Sequence, residues 1–319
     1  MMEKEIKISL IIPTYNKVNR LKYLLESLCI QDAEIPFTVI IVDDGSTDGS
    51  KMLIEKYRSR IDLKVYTIQN SGRSHARNVG LEMAKTKYVI FCDDDMILPP
   101  AYVKENYTIL SKNKEVLVHG KIYNLPYLSF FEDPESGTIF PEIIEKSKGN
   151  IEHIKKYLIT TDIVNNQEEL EKQRRISLQE KYAKEIYEKN IEELFFLMCT
   201  GGNFSCRREL LLQVGGFNEE IDLKWGTEDI ELGYRLQKSG VDFLYSQETY
   251  NYHICHYRTT YESELLYSFE LFYKEHKDPL ILDVPNLLLR KVKNLEEFIE
   301  KYVEKKRIPV NVEKIRQRV

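Results

Sequence analysis

The sequence predicts an α/β protein: a mostly parallel central sheet flanked by helices, with a helical insertion and a helical C-terminal extension. Three observations carry this. Short β-branched runs at 6–12, 37–42, 63–68 and 88–92 alternate with segments of helical spacing. Strands separated by helices of roughly 10–15 residues form right-handed βαβ units and a largely parallel sheet. Three of the runs end in polar or acidic residues, at Thr14 and Tyr15, at Asp43 and Asp44, and at Asp93 to Asp95. Open α/β sheets bind ligands at the carboxyl ends of their strands, so these ends outline one site.

Taken in order, the 6–12 strand is stopped by Pro13, and Leu21, Leu24, Leu25 and Leu28 then recur at helical spacing. A helix of about 48–57 follows the second strand, and another through about residue 84 follows Ser71-Gly72-Arg73. Residues 126–198 read differently. Charge is dense, glycine is absent after Gly149, and 165–198 reads as one long helix with Leu178, Tyr182, Ile186 and Leu194 on a stripe. This insertion either covers one edge of the core or grips a second substrate. The α/β pattern returns at Gly201-Gly202-Asn203-Phe204-Ser205, with a helix to about 239 and a strand at 241–245. Residues 259–319 read as helical, with a linker near 279–285. The expected units are therefore 1–125, 126–198, 199–258 and 259–319.

With 319 residues, 42% hydrophobic and 30% charged, the chain can bury one large core with embellishments. A net charge of -5 argues against a nucleic-acid partner. The N-terminus lacks a basic segment followed by an apolar core, and no apolar run approaches the roughly 20 residues that span a bilayer. The five cysteines are odd in number and include no Cys-x-x-Cys pair, as expected of reduced thiols. The expected location is the cytoplasm, with attachment to the inner face of a membrane left open.

Four groups of residues carry chemistry. Asp93-Asp94-Asp95 gathers repelling carboxylates at a strand end, and a divalent cation would offset that repulsion. Alone, such a motif is more often a solvated acidic turn. Asp44, in Val42-Asp43-Asp44-Gly45-Ser46, can accept from a base imide or ribose hydroxyls, while Gly45 and Asp48 suit a turn and a cap. Trp225-Gly226-Thr227-Glu228-Asp229 puts carboxylates at a helix start, where they favour the dipole or serve as a general base. His253-Ile254-Cys255-His256 supplies imidazoles at a strand end or loop, one to ligate and one to pack.

Together these residues resemble a known family. Ile11-Ile12-Pro13-Thr14-Tyr15-Asn16, Val42-Asp43-Asp44-Gly45-Ser46, Gly72-Arg73-Ser74-His75-Ala76-Arg77-Asn78 and Asp93-Asp94-Asp95 look like glycosyltransferase family 2, of the Rossmann-like, nucleotide-sugar-binding GT-A fold. Gly201-Gly202-Asn203-Phe204, Gly215-Gly216-Phe217-Asn218-Glu219 and Trp225 to Asp229 resemble the segment found in galactosyl- and N-acetylgalactosaminyltransferases. The likeness spans roughly 6–125 and 198–258.

The resemblance implies a UDP-sugar donor. Pro13 and Tyr15 would line the base pocket, Asp44 would accept from uracil, and Arg73 or Arg77 would sit near the donor. Asp93 would contact ribose or metal, beside Asp94. Asp95 would be the main ligand of Mn²⁺ or Mg²⁺, with His256, or alternatively His253, as its histidine partner. Trp225 and Gly226 would shape the sugar pocket. Asp229 would be the catalytic base, with Glu228 holding hydroxyls. One base carboxylate and no separate nucleophile imply inversion. The absence of Gln-x-x-Arg-Trp and of membrane helices implies one sugar per binding event, onto a glycan, peptide or small-molecule acceptor. The likeness leaves open an oligomer through the 165–198 region. The rivals are a sugar-nucleotide nucleotidyltransferase and a non-catalytic nucleotide-sugar-binding protein. The first departs at Pro13 to Asn16, where a glycine-rich loop is expected. The second departs in keeping Asp95, Glu228 and Asp229.

Overall fold

The computed structural model describes residues 5–32, 34–147, 151–221, 226–257 and 261–306. The strands are β1 Ile8–Thr14, β2 Phe37–Asp43, β3 Leu63–Thr67, β4 Tyr88–Phe91, β5 Met96–Ile97, β6 Val116–Asn124, β7 Phe131–Asp133, β8 Thr138–Ile139, β9 Arg175–Ile176, β10 Phe204–Arg207 and β11 Asp242–His253. The main sheet runs β3-β2-β1-β4-β10-β6-β11-β5, with β9 also on β6. β3, β2, β1 and β4 pair in parallel, as does β6 with β11. β10 lies antiparallel between β4 and β6. The sheet is thus parallel in two blocks that β10 joins.

β1 is buried along its whole length because helices cover both faces. Leu10 and Ile12 pack with Leu21, Leu24, Leu25 and Leu28 of the Val18–Cys29 helix. Ile11 packs with Ala76 and Leu81 of the Arg73–Met83 helix on the other face. That second helix lies so close that a Cβ on Gly80 would overlap the Ile11 side chain. Burial of such aliphatic side chains contributes about 1.5–3 kcal/mol each.

Three expectations are corrected. Residues 165–198 are not one helix but Gln167–Gln173, β9, Leu178–Glu188 and a 3₁₀ segment Glu192–Met198. Ser177 starts the Leu178–Glu188 helix by accepting the Glu180 N–H at 3.0 Å, and Asn190 ends that region with a positive φ of 52°. Leu194 to Met198 are all buried, a continuous apolar run rather than a stripe. The supposed linker at 279–285 is a helix, Pro279–Leu288. Asp278 caps it through the Leu280 N–H at 3.0 Å, and Pro279 occupies its first turn, where the missing N–H has no intrahelical partner. Finally, the strand expected at 241–245 continues to His253 through an irregularity between Ser246 and Asn251.

The insertion is not purely helical. Its first part holds the β7–β8 hairpin, and Leu128, Phe131, Ile143, Ile159 and Leu170 build a separate cluster with Tyr23 and Tyr252 of the main body. The C-terminal helices Tyr261–His276 and Pro279–Leu288 cover the Glu228–Lys238 helix. His276 meets Glu231 at 2.7 Å, and Tyr234 donates to Asp278 at 3.0 Å. No helix among the described residues is long and apolar enough to cross a membrane. The five cysteines are free thiols.

Candidate active site

A cleft of about 1240 Å³ opens over the carboxyl ends of β1, β2 and β4 and extends toward the insertion and the C-terminal helices. It exceeds the roughly 300–1,000 Å³ of a single-ligand pocket, which leaves room for two substrates.

At one end, Pro13, Tyr15, Asp44, Asn70 and Gly72 line the wall. Tyr15 is 47% exposed, a bare aromatic face that suits base stacking. The following Asn16 takes a φ of 51°, which an asparagine tolerates, and locks two strand ends together. Its N–H donates to Ser46 Oγ at 3.0 Å, and its Oδ1 accepts the Thr47 N–H at 2.8 Å. Asp44 shapes the adjoining loop by accepting the N–H of Ser71 at 2.7 Å and of Gly72 at 3.0 Å, and the amide of Asn70 at 3.1 Å. Burial raises the Asp44 pKa against these hydrogen bonds.

The acidic triplet does not stay extended. The backbone turns after β4, and its three carboxylates go to three partners. Asp93 accepts from Arg77 at 2.8 Å. Asp94 accepts from Thr14 Oγ1 at 2.7 Å, and burial lifts its carboxyl to about 7. Asp95 lies 3.3 Å from His256 Nδ1 and 3.7 Å from His253 Nε2. Burial would raise Asp95, but Lys17 and His253 overcome it and hold the carboxyl well below its ordinary range. Burial likewise works against a charged His253, yet the neighbouring Asp95 raises its imidazole to about 10.

One oxygen of Asp95 and one nitrogen from each of His253 and His256 all lie within 4.8 Å of one another. Carboxylate plus two imidazoles is a donor set suited to Mn²⁺ or another first-row divalent ion. A cation already stands in this set: Lys17 Nζ is 3.2 Å from Asp95 and 3.4 Å from His256. The residues therefore fit a divalent ion, and both histidines stand beside Asp95.

Further along, Asp229 lines the cleft at the start of the Glu228–Lys238 helix. Its Oδ2 accepts the Gly201 N–H and its Oδ1 the Ile230 N–H, both at 2.8 Å. Burial and the adjacent Glu228 raise its carboxyl to about 7. Glu228 itself is buried below, 3.0 Å from Arg77 and 3.6 Å from Arg73. Burial would raise it, but the two guanidiniums bring it down to about 2. Two adjacent carboxyls are thus pushed apart, one ionised and one poised, a pattern that marks acid–base sites.

Of the other expected residues, Arg73 and Gly226 line the cleft. Arg77 does not line it; it is 2% exposed and braces Asp93 and Glu228 from beneath. Trp225 lies outside the described residues. Sequence reasoning missed Lys17, His119, Glu180 and Thr200, all of which line the cleft. Lys17 directly follows Asn16, the last residue of the first motif, and position alone could have raised it. Nothing in the sequence links Glu180, inside the insertion, to His119.

Comparison with known proteins gives the family and the fold. The model for glycosyl transferase family 2 matches residues 9–215. One described as the N-terminal domain of galactosyltransferase matches 187–262. The chondroitin synthase of Pasteurella multocida (strain Pm70) is 29% identical over 261 residues, which is 76% of this chain but 24% of the synthase. The structure of S. aureus TarS 1-349 in complex with UDP-GlcNAc superposes with a TM-score of 0.53 at 20% identity, covering 93% of this chain and 73% of that one. The mannosyltransferase PcManGT of Pyrobaculum calidifontis, in complex with GDP-Man and Mn²⁺, gives 0.53 at 15% identity, covering 94% and 79%. The fold is that of the GT-A glycosyltransferases, and the chain spans only about a quarter of the length of the synthase it matches. The chain belongs to glycosyl transferase family 2.

Proposed function

We propose that the chain transfers a hexose or N-acetylhexosamine from a UDP-sugar to an acceptor, with inversion, one sugar per binding event, and with a divalent cation. One observation carries this: the cation-ready set Asp95, His253 and His256 shares a cleft with Asp229, a partly shielded carboxylate raised to about 7. TarS with UDP-GlcNAc and PcManGT with Mn²⁺ support the donor and the ion by likeness of fold.

In this reading Tyr15 stacks on the base, Asp44 accepts from its imide, and Arg73 faces the donor. Asp95, His253 and His256 would hold the ion, which when bound offsets charge on the departing diphosphate. Asp229 takes the proton from the acceptor hydroxyl as it attacks the sugar carbon opposite the leaving group. Its two backbone N–H partners fix the carboxylate in place for that attack. Glu228 stays ionised and holds Arg73 and Arg77. The acceptor enters from the far end, between Gln179 of the insertion and Leu265 and Leu288 of the C-terminal helices, with Arg290 in the turn that follows.

Calorimetric titration of UDP with and without Mn²⁺, followed by UDP-sugars scored for slow hydrolysis, tests the reading. Metal-dependent UDP binding and one preferred sugar are expected. No UDP binding under either condition would overturn it.

A further inference from the structure

A buried polar chain runs from the insertion to the loop that holds Asp229. Glu180, in the first turn of the Leu178–Glu188 helix, accepts from Tyr245 Oη at 2.6 Å and from the Ile122 N–H at 3.1 Å. The same carboxylate lies 3.2 Å from His119 Nε2. A carboxylate only accepts, so the imidazole donates there. The other ring nitrogen, Nδ1, lies 3.3 Å from the Thr200 hydroxyl. Thr200 directly precedes Gly201, whose N–H donates to Asp229 at 2.8 Å. Gly201 has no slack, because a Cβ there would fall on the Arg77 guanidinium.

Each part is anchored. His119 is paired across the sheet with both Phe204 of β10 and Tyr245 of β11. Glu180 and His119 are almost completely buried. Burial would raise the Glu180 carboxyl, but His119 and Tyr245 lower it. A buried network with every member bonded holds its parts in one arrangement.

We propose that Glu180 is a positioning residue for the base: through His119 and Thr200 it fixes the Gly201 N–H, and so the direction of the Asp229 carboxylate. The insertion is then part of the catalytic geometry, not merely a cover on the sheet edge. This rests on the reading of Asp229 as the base.

The test uses the full chain and slow hydrolysis of the preferred UDP-sugar. Thr200→Val cuts the chain at its last link while leaving the Glu180–His119 pair and the side-chain volume in place. Glu180→Gln replaces one accepting oxygen with an amino group: at Oε2 it removes the acceptor that Ile122 N–H and His119 share, and at Oε1 the acceptor of Tyr245. Thr200→Ser restores the hydroxyl. For both T200V and E180Q, kcat is expected to fall about ten- to a hundredfold, with UDP affinity within about twofold of the parent. The acid limb of the kcat profile should shift, and T200S should regain most of the rate. T200V with the parent's kcat and acid limb would overturn the proposal. So would a loss that T200S fails to restore, or one matched by an equal loss of UDP affinity. Asp229→Asn at near-normal rate would instead remove the base reading, and the proposal with it.

Discussion

Arg77 and Glu228 meet at 3.0 Å although 151 residues separate them, and both are almost fully buried. The guanidinium also holds Asp93 at 2.8 Å, so one buried cation ties the acidic triplet to the carboxylate pair at 228–229. Arg77→Met leaves Glu228 buried with only the more distant Arg73 as counter-charge. The expected loss is about 3–5 kcal/mol of folding stability, read from denaturant midpoints. Gly201→Ala should resemble it, because the added methyl displaces the same guanidinium.

Asp229→Asn is expected to lower transfer by on the order of 10²–10⁴, the usual weight of a general base, while UDP affinity changes only a few-fold. Steady-state kinetics together with calorimetry decide it. A rate close to the parent's would assign the proton to another group.

The pH dependence follows from the same carboxyl. A base works when deprotonated, and Asp229 is raised to about 7. The rate should therefore rise with pH to a plateau above about 7 and fall toward tenfold per pH unit on the acid side. Stability runs the other way. The folded state binds this proton more tightly than the unfolded chain does. The contribution is full below the ordinary aspartate range and is lost as pH rises through about 7. Asp229→Asn should accordingly gain stability relative to the parent at pH 8, measured by thermal melting.

Asp95→Ala should abolish the Mn²⁺ dependence of UDP binding. His253→Ala and His256→Ala should each weaken Mn²⁺ by about ten- to a hundredfold if both nitrogens ligate. Calorimetric titration of Mn²⁺ alone and with UDP reports both. Metal dependence unchanged in Asp95→Ala would put the ion elsewhere.

At the far end of the cleft, Gln179→Ala and Arg290→Ala should raise the acceptor KM several-fold, about the effect of losing one polar contact, while donor hydrolysis is unchanged. Equal loss of both reactions would make that end structural.

Where the sequence is locally informative, it reads well. β1, β2 and β4 announce themselves by β-branched runs, and Asp44, Asp95 and Asp229 by the turns and helix start around them. What could not be read depends on distance along the chain. Arg77 and Glu228, or His119 and Glu180, become partners only through the sheet order. The 165–198 region misled because the stripe from Leu178 to Leu194 continues across Asn190, whose backbone leaves the helix, and because Ser177 caps a new helix where one was read as running on. At 279–285 two prolines read as a linker, yet Asp278 and the first-turn position of Pro279 make the first of them a helix start.

β10 has a consequence for synthesis on the ribosome. It is the four-residue piece Phe204–Arg207 seated between β4 and β6, and its loop ties back to strands emerging about 80 residues earlier, as Thr200 does to His119. Until it arrives, β4 and β6 are not joined, and the edge that each later pairs with β10 is open to mispairing with a neighbouring chain. The insertion is translated during that interval, and its own apolar cluster can form first. Slowing translation between residues 125 and 204 prolongs exposure of the β4 edge and both β6 edges, whereas slowing after 207 leaves only the β6 edge that awaits β11, so the first should change the yield of native protein more.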